Sequence, residues 1–196
     1  RPDRAPAAEI MSRDGRDILH QEDVWNRIPL DFTWPCTALA VAWDTVEPLW
    51  TRFDPCAWHV DRIRFDAWLL TLLQSAGATV VRGTVDDARR EGNRWRVTCA
   101  VDDTPQTISS TTLIVATGRT SRRLRLATRE KIDNLCLVAG TADPDPVDPD
   151  ALIVEAVPDG WWYSAPLVGG KLFTGWMTDF SLVPDGRYAE AAAASL

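Results

Sequence analysis

The chain has 196 residues and a formal net charge of −7, enough for one sizeable core or for parts of two. Its acidic balance excludes a nucleic-acid binder that works by neutralising phosphates. No apolar run approaches the roughly 20 residues that cross a bilayer. Cys36, Cys56, Cys99 and Cys136 are widely spaced with no CxxC pair, so reduced thiols and a cytoplasmic setting are expected.

Residues 1–20 are rich in charge, Ala and Pro, and read as a surface helix or a mobile terminus. Residues 21–60 carry Trp25, Phe32, Trp34, Trp43, Trp50, Phe53 and Trp58 among Pro29, Pro35, Pro48 and Pro55. They predict a single strand, Ala38 to Trp43, inside an irregular connection pinned by aromatics. The first residue is Arg, and no strand with a glycine-rich turn opens the chain. We therefore expect it to be the central part of a longer protein.

A helix is predicted from Asp61, a good N-cap, because Ile63, Phe65, Trp68, Leu69, Leu72, Leu73 and Ala76 recur at helical spacing. Gly77 stands where a helix-ending glycine would. Ala78 to Arg82 reads as a short strand. Thr84–Arg89, Arg94–Val101 and Thr107–Ser110 read as an antiparallel meander, with Glu91-Gly92-Asn93 as its first turn. In its middle strand Trp95, Val97, Cys99 and Val101 alternate with polar or small residues, which predicts one buried face.

Leu113-Ile114-Val115-Ala116 is a short unbroken apolar run, the pattern of a parallel strand buried on both faces. Thr117, Gly118 and Arg119 follow, and would place hydrogen-bond donors at the strand's carboxyl end, where open α/β sheets hold ligands. The same residues also read as a core strand followed by a basic surface turn. Beyond residue 125, Asn134–Ala142, Leu152–Val157, Trp161–Leu167 and Lys171–Met177 predict an antiparallel sheet. Pro158-Asp159-Gly160 and Gly169-Gly170 supply turns. Asp143 to Asp150 alternates aspartate with proline and lacks EF-hand spacing, so it reads as a solvated loop and not a calcium site. The Ala-rich tail 189–195 resembles the start of a helix.

The fold class that follows is α/β (α+β). Residues 1–60 form an aromatic-rich connecting segment, 61–128 part of a domain with a helix and a three-stranded meander, and 129–196 part of an antiparallel domain. His20 and His59 have no ligand-spaced partners, so no metal site is expected. There is no GxSxG, no P-loop and no GxGxxG.

Three stretches carry a resemblance. Trp58-His59-Val60-Asp61-Arg62-Ile63-Arg64-Phe65-Asp66-Ala67-Trp68-Leu69-Leu70 resembles the Asp-Arg-x-x-Phe-Asp-x-x-Leu helix of FAD-dependent monooxygenases and halogenases. Ser110 to Gly118 is similar to their Ala-Thr-Gly strand. Glu155 to Leu167, with Gly160-Trp161-Trp162-Tyr163-Ser164-Ala165-Pro166, is similar to the substrate-domain strands of tryptophan-halogenase-like flavoproteins. In order, they cover roughly residues 40–180.

The resemblance implies a p-hydroxybenzoate-hydroxylase-like fold, with residues 61–128 as part of a Rossmann-like FAD-binding domain and 129–196 as part of the substrate domain, and FAD as cofactor, reduced by NAD(P)H or by a separate flavin reductase. It implies that Arg62, Thr117, Gly118 and Arg119 bind the cofactor, and that Gly160, Trp161, Trp162, Tyr163 and Pro166 wall the substrate pocket. Adjacent strand residues face opposite ways, so Trp161 and Trp162 are not expected to share one pocket. Glu155 is the one carboxylate of the signature strand and its candidate acid or base. The implied reaction is oxygenation of an electron-rich aromatic, indole- or phenol-like, through a flavin–oxygen adduct. The substrate would be a small molecule or a protein side chain. Halogenases carry Gly-Trp-x-Trp-x-Ile-Pro, whereas Tyr163 and Ala165 stand here in place of the second Trp and the Ile. Halogenation is therefore the alternative, beside a geranylgeranyl-reductase-like reaction and a truncated, non-catalytic binding domain.

Overall fold

The structure, a computed structural model, describes residues 8–117, 132–143 and 148–183. It divides into two compact units, one of Arg1–Leu69 with Asp133–Leu196 and one of Leu70–Ile132. The predicted tail helix at 189–195 lies outside the described residues.

The first unit is built on a seven-stranded sheet. Its strands are β1 (Ala8–Ser12), β2 (Thr33–Ala42), β3 (Leu49–Asp61), β7 (Leu135–Ala142), β8 (Ala151–Val157), β9 (Gly160–Pro166) and β10 (Leu172–Asp179), in the order β1-β3-β2-β8-β9-β10-β7. All neighbours are antiparallel except β2 and β8, which run parallel with Ala38 opposite Ala151. The four predicted strands beyond residue 130 thus form an antiparallel sheet, but they share it with three strands from the first sixty residues.

The irregular connection expected over residues 21–60 is corrected by this sheet, since β2 and β3 together occupy most of it. The reason lies at the sheet edge. From Leu49 to Cys56 every residue but Phe53 is exposed, so no apolar–polar alternation marks the strand. Pro35 is tolerated within β2 because β8 pairs only from Ala38 onward, which leaves β3 as Pro35's one described neighbour.

Helix α1 (Arg13–Gln21) starts at Ser12, whose hydroxyl accepts from the Gly15 N–H at 3.2 Å. Helix α2 (Arg62–Ser75) is capped by Asp61, whose carboxylate accepts from the Arg64 N–H at 3.1 Å. Gly77 ends it at φ +86. Phe65 of α2 is buried with Val60 and Ile28, and Met11, Leu19, Trp25 and Phe32 pack around them.

The second unit holds a three-stranded meander, β4 (Thr84–Glu91), β5 (Arg94–Val101) and β6 (Thr104–Ser110). Asp102 and Asp103 both take positive φ, the conformation of a tight two-residue hairpin turn. Ala88 and Val97 are its buried pair, with Val85 and Leu113 against them.

Two predicted strands are absent. Leu113–Ala116 lies in no strand and Ile114 is 84% exposed, while Ala78–Arg82 is likewise unpaired, with Val80 and Val81 exposed. An apolar run specifies a preference for burial, but a strand also needs a neighbour to take its N–H and C=O groups. No described strand pairs with either run.

Candidate functional site

The start of α2 fixes one side of the site. The Asp61 N–H donates to the Phe32 carbonyl at 2.9 Å, which ties the end of β3 to the turn before β2. Arg62 follows at the first helical position. Its Nε and Nη2 donate to the two oxygens of Asp66 at 3.0 and 3.1 Å, and Nη1 meets Glu9 of β1 at 3.0 Å. This fork orients the guanidinium and leaves N–H groups over for another acceptor. Arg64 pairs with Asp31 and lies over the Phe32 ring at 4.4 Å.

A cavity of about 260 Å³ opens beside Arg62, lined by Trp34, Val60, Ile63, Leu167, Val168 and Lys171 as well. A second, of about 220 Å³, is lined by Trp34, Pro149, Pro166, Leu167, Val168 and Lys171 among others. The two share Trp34, Leu167, Val168 and Lys171, and so form one groove. Its far wall is the turn between β9 and β10. Gly169 and Gly170 take φ of +89 and +78 there, and the Leu167 N–H donates to the Lys171 carbonyl at 2.8 Å. Lys171 Nζ is held by Asp143 at 2.7 Å. Trp34 Nε1 donates to the Pro149 carbonyl at 3.2 Å. The groove therefore offers apolar and aromatic walls edged by Arg62 and Lys171 and by the carboxylates of Asp61 and Asp148, a setting for a flat ring with polar edges.

His59 lies under Trp34, with ring centroids 5.3 Å apart and planes at 21°. It is 1% exposed, and neither ring nitrogen makes a well-formed hydrogen bond among the described residues. Burial pushes its pKa below the ordinary histidine value, and the Asp150 backbone and charge only partly oppose this. The neutral ring is thus the form that the fold holds. Its contribution to stability is complete above the ordinary value near 6.5 and is lost as pH falls below it, because the unfolded chain then takes up a proton that the folded chain refuses. Equilibrium unfolding between pH 7 and 5 is expected to show this loss, with a slope of at most about 1.4 kcal/mol per pH unit for one proton. His59→Phe keeps the stacked ring and should flatten that part of the profile. An unchanged profile in the variant would disprove the assignment.

The other residues singled out from sequence fall in several places. Pro166 lines the groove. Gly160 stands at the other end of β9, at the turn from β8. Trp162 is buried and stacks on Trp176 with centroids 6.0 Å apart. Trp161 and Tyr163 share the opposite face, 6.4 Å apart, and the Tyr163 hydroxyl donates to the Ala8 carbonyl at 2.9 Å. Burial, with the Glu9 charge, holds the Tyr163 phenol above its usual pKa. Glu155 lines a different pocket of about 320 Å³, with Trp43, Asp44 and Val46. Thr117 is exposed and belongs to the second unit, whereas Gly118 and Arg119 lie outside the described residues. Local sequence pattern does not mark Trp34, Leu167, Val168 or Lys171 as site residues. The signal for the last three was Gly169-Gly170, which bends the chain back directly after Pro166.

No family model and no curated protein matches the sequence. Solved structures do match. QhpG, a peptidyl tryptophan dihydroxylase essential for tryptophylquinone cofactor biogenesis, aligns at a TM-score of 0.70 with 25% identity, over 98% of this chain and 42% of that one. CndH, the myxobacterial chondrochloren halogenase described as a variant of FAD-dependent halogenases, gives 0.77 with 20% identity, over 99% of this chain and 48% of that one. A geranylgeranyl bacteriochlorophyll reductase-like protein of Thermoplasma acidophilum gives 0.73 with 18% identity, over 93% and 48%. The chain thus spans about half the length of the structures it matches, and it has the fold of the FAD-dependent monooxygenase and halogenase superfamily. Among the described residues, no helix is long and apolar enough to cross a membrane.

Proposed function

We propose that the chain is the central part of an FAD-dependent oxidoreductase, with parts of its FAD-binding and substrate domains, that oxygenates an electron-rich aromatic, indole- or phenol-like. The observation that carries this reading is the groove between the start of α2 and the end of β9. There two sequence stretches of flavoprotein character, around Arg62 and around Pro166, meet across Trp34.

The groove suits part of an FAD. Its walls are apolar and aromatic, and Arg62 keeps donors free beyond those on Asp66 and Glu9. Its volume suits one ring system, and no GxGxxG loop for the pyrophosphate occurs in these 196 residues. Arg62 would hold the cofactor at this groove. When bound, FAD supplies the redox chemistry, with electrons from NAD(P)H or a separate reductase. The protein's part would be to seat the ring against Trp34 and Leu167 and to orient the substrate. Of the residues that the resemblance gives to the substrate side, Pro166 lines this groove, Trp161 and Tyr163 share one face of β9 and Trp162 lies on the other, and Glu155 stands apart as the one carboxylate candidate. QhpG acts on a peptidyl tryptophan, which supports a protein side chain as substrate beside a small molecule.

The Thermoplasma neighbour favours a second reading, a saturating reductase. A long apolar tunnel would suit that chemistry, and a small groove faced by Trp34 suits an aromatic better. Arg62→Ala tests the cofactor assignment. In the full-length protein that carries this sequence, it is expected to weaken FAD binding by about 1.5–3 kcal/mol, the scale of a hydrogen bond to a charged group, or roughly ten- to a hundred-fold in Kd. Stability should change by less than about 1 kcal/mol, because the Asp66 and Glu9 pairs are half-exposed. Flavin titration and thermal melting separate the two effects. Unchanged flavin affinity would remove Arg62 from the site.

A further inference from the structure

The far end of the β2–β3 hairpin presents an unfinished sheet edge. β1 pairs with β3 only from Ala57 to Asp61; Leu49 to Arg52 pair with β2, Phe53 and Asp54 fall at the irregularity opposite Cys36–Ala38, and from Leu49 to Asp54 no described strand pairs on the other side. Its outward N–H and C=O groups form a ready template for another strand. Pro55 closes this strip, because it brings no N–H. The tip beside it is apolar and open: Val46 is 97% and Leu49 72% exposed, and Trp43 and Trp50 are about half-exposed. The carboxylates around it, Asp44, Glu47, Asp54 and Glu155, make no ion pair among the described residues. The one cation of the strip, Arg52, is taken by Asp148 at 2.6 Å.

We propose that this edge is a docking site for an extended segment of a partner polypeptide in which Lys or Arg alternates with apolar residues, added to the sheet beside β3. Backbone pairing with Leu49–Asp54 would give affinity, and the apolar tip with its unpaired carboxylates would select the segment's side chains. A second copy of this chain is a poor occupant, because its own edge brings the same acidic residues and like charges would face each other. The site does not depend on the reaction proposed above. Trp34 and Trp43 stand near opposite ends of β2, roughly 30 Å apart at the rise of an extended strand. The apolar tip therefore lies away from the groove, whereas the other end of the strip meets the groove wall, where Arg52 pairs with Asp148.

The test uses the 196-residue chain and two labelled dodecapeptides, one alternating Lys with Val and one alternating Glu with Val. The Lys–Val peptide is expected to bind about tenfold or more tighter than the Glu–Val peptide, and more weakly as salt rises. In that complex, backbone amides of Leu49–Asp54 should exchange about tenfold more slowly, with little change in the meander. The double variant Asp44→Lys, Glu47→Lys, on an exposed turn, should abolish the preference between the two peptides. Equal binding of both peptides by the unaltered chain would overturn the proposal, as would binding without protection of Leu49–Asp54. Protection of this edge that grows with protein concentration in the absence of peptide would assign it to a second copy instead, and would also overturn it.

Discussion

Phe173→Ala is expected to destabilise the chain by about 3–5 kcal/mol, the range for removing a buried aromatic ring. Phe173 is 2% exposed on β10, opposite Ala165 of β9, and its ring lies 5.2 Å from that of Tyr163. Ala8 and Ala165 are buried with it, and Leu152 and Leu167 pack alongside. The space left behind has little means of closing, because the Tyr163 hydroxyl is tethered to the Ala8 carbonyl and Ala165 is fixed in the ladder. Leu167 belongs both to this cluster and to the groove, so the variant should also loosen the wall of the site. Phe173→Leu, which keeps most of the volume, should lose about 1–1.5 kcal/mol. Equilibrium urea unfolding gives both values. A loss below about 1 kcal/mol for the alanine variant would mean that the cluster is not the core of this sheet.

The second large effect is expected at Gly160. Its φ is +147, and a Cβ there would stand 2.1 Å from the Met177 carbonyl oxygen and 3.1 Å from Trp176 Nε1. Backbone cannot move aside as a flexible side chain can, so Gly160→Ala combines a strained dihedral with a forced shift of β10. We expect a loss of about 2–4 kcal/mol. Gly169→Ala is the control, since it has φ of +89 with nothing within 4 Å and should lose only about 1 kcal/mol of backbone preference. Equal losses in the two variants would refute the steric account. Gly160 thus has a packing requirement of its own, independent of any substrate.

Local chemistry made much of this fold legible. Asp61 and Gly77 delimit α2, Glu91-Gly92-Asn93 and the alternation after Arg94 give the meander, and Gly169-Gly170 ends β9. Each signal lies within a few residues of what it specifies. The losses came where the deciding partner is distant in sequence. β3 was missed because an edge strand, wet on both faces from Leu49 to Cys56, loses the alternation that marks a half-buried one. Leu113–Ala116 was read as a strand because an apolar run states only a need for cover. The site was legible in the same uneven way. Arg62 and Pro166 came from local pattern, whereas Trp34 joins them only because the sheet brings β2 beneath the β9–β10 turn.

The parallel contact between β2 and β8 also bears on the order in which the chain folds. Every other strand pair in the sheet is antiparallel, but Ala38 must find Ala151 across the whole of the second unit. Closing a loop of about a hundred residues costs roughly 4 kcal/mol of chain entropy, more than any hairpin in the molecule demands. On the ribosome the meander is complete long before Ala151 emerges, so β1, β2 and β3 wait with one flank of β2 bare. That seam is expected to be the slow step of assembly, and the interval before it closes is when the unpaired backbone edge of β2 is open to capture by other chains.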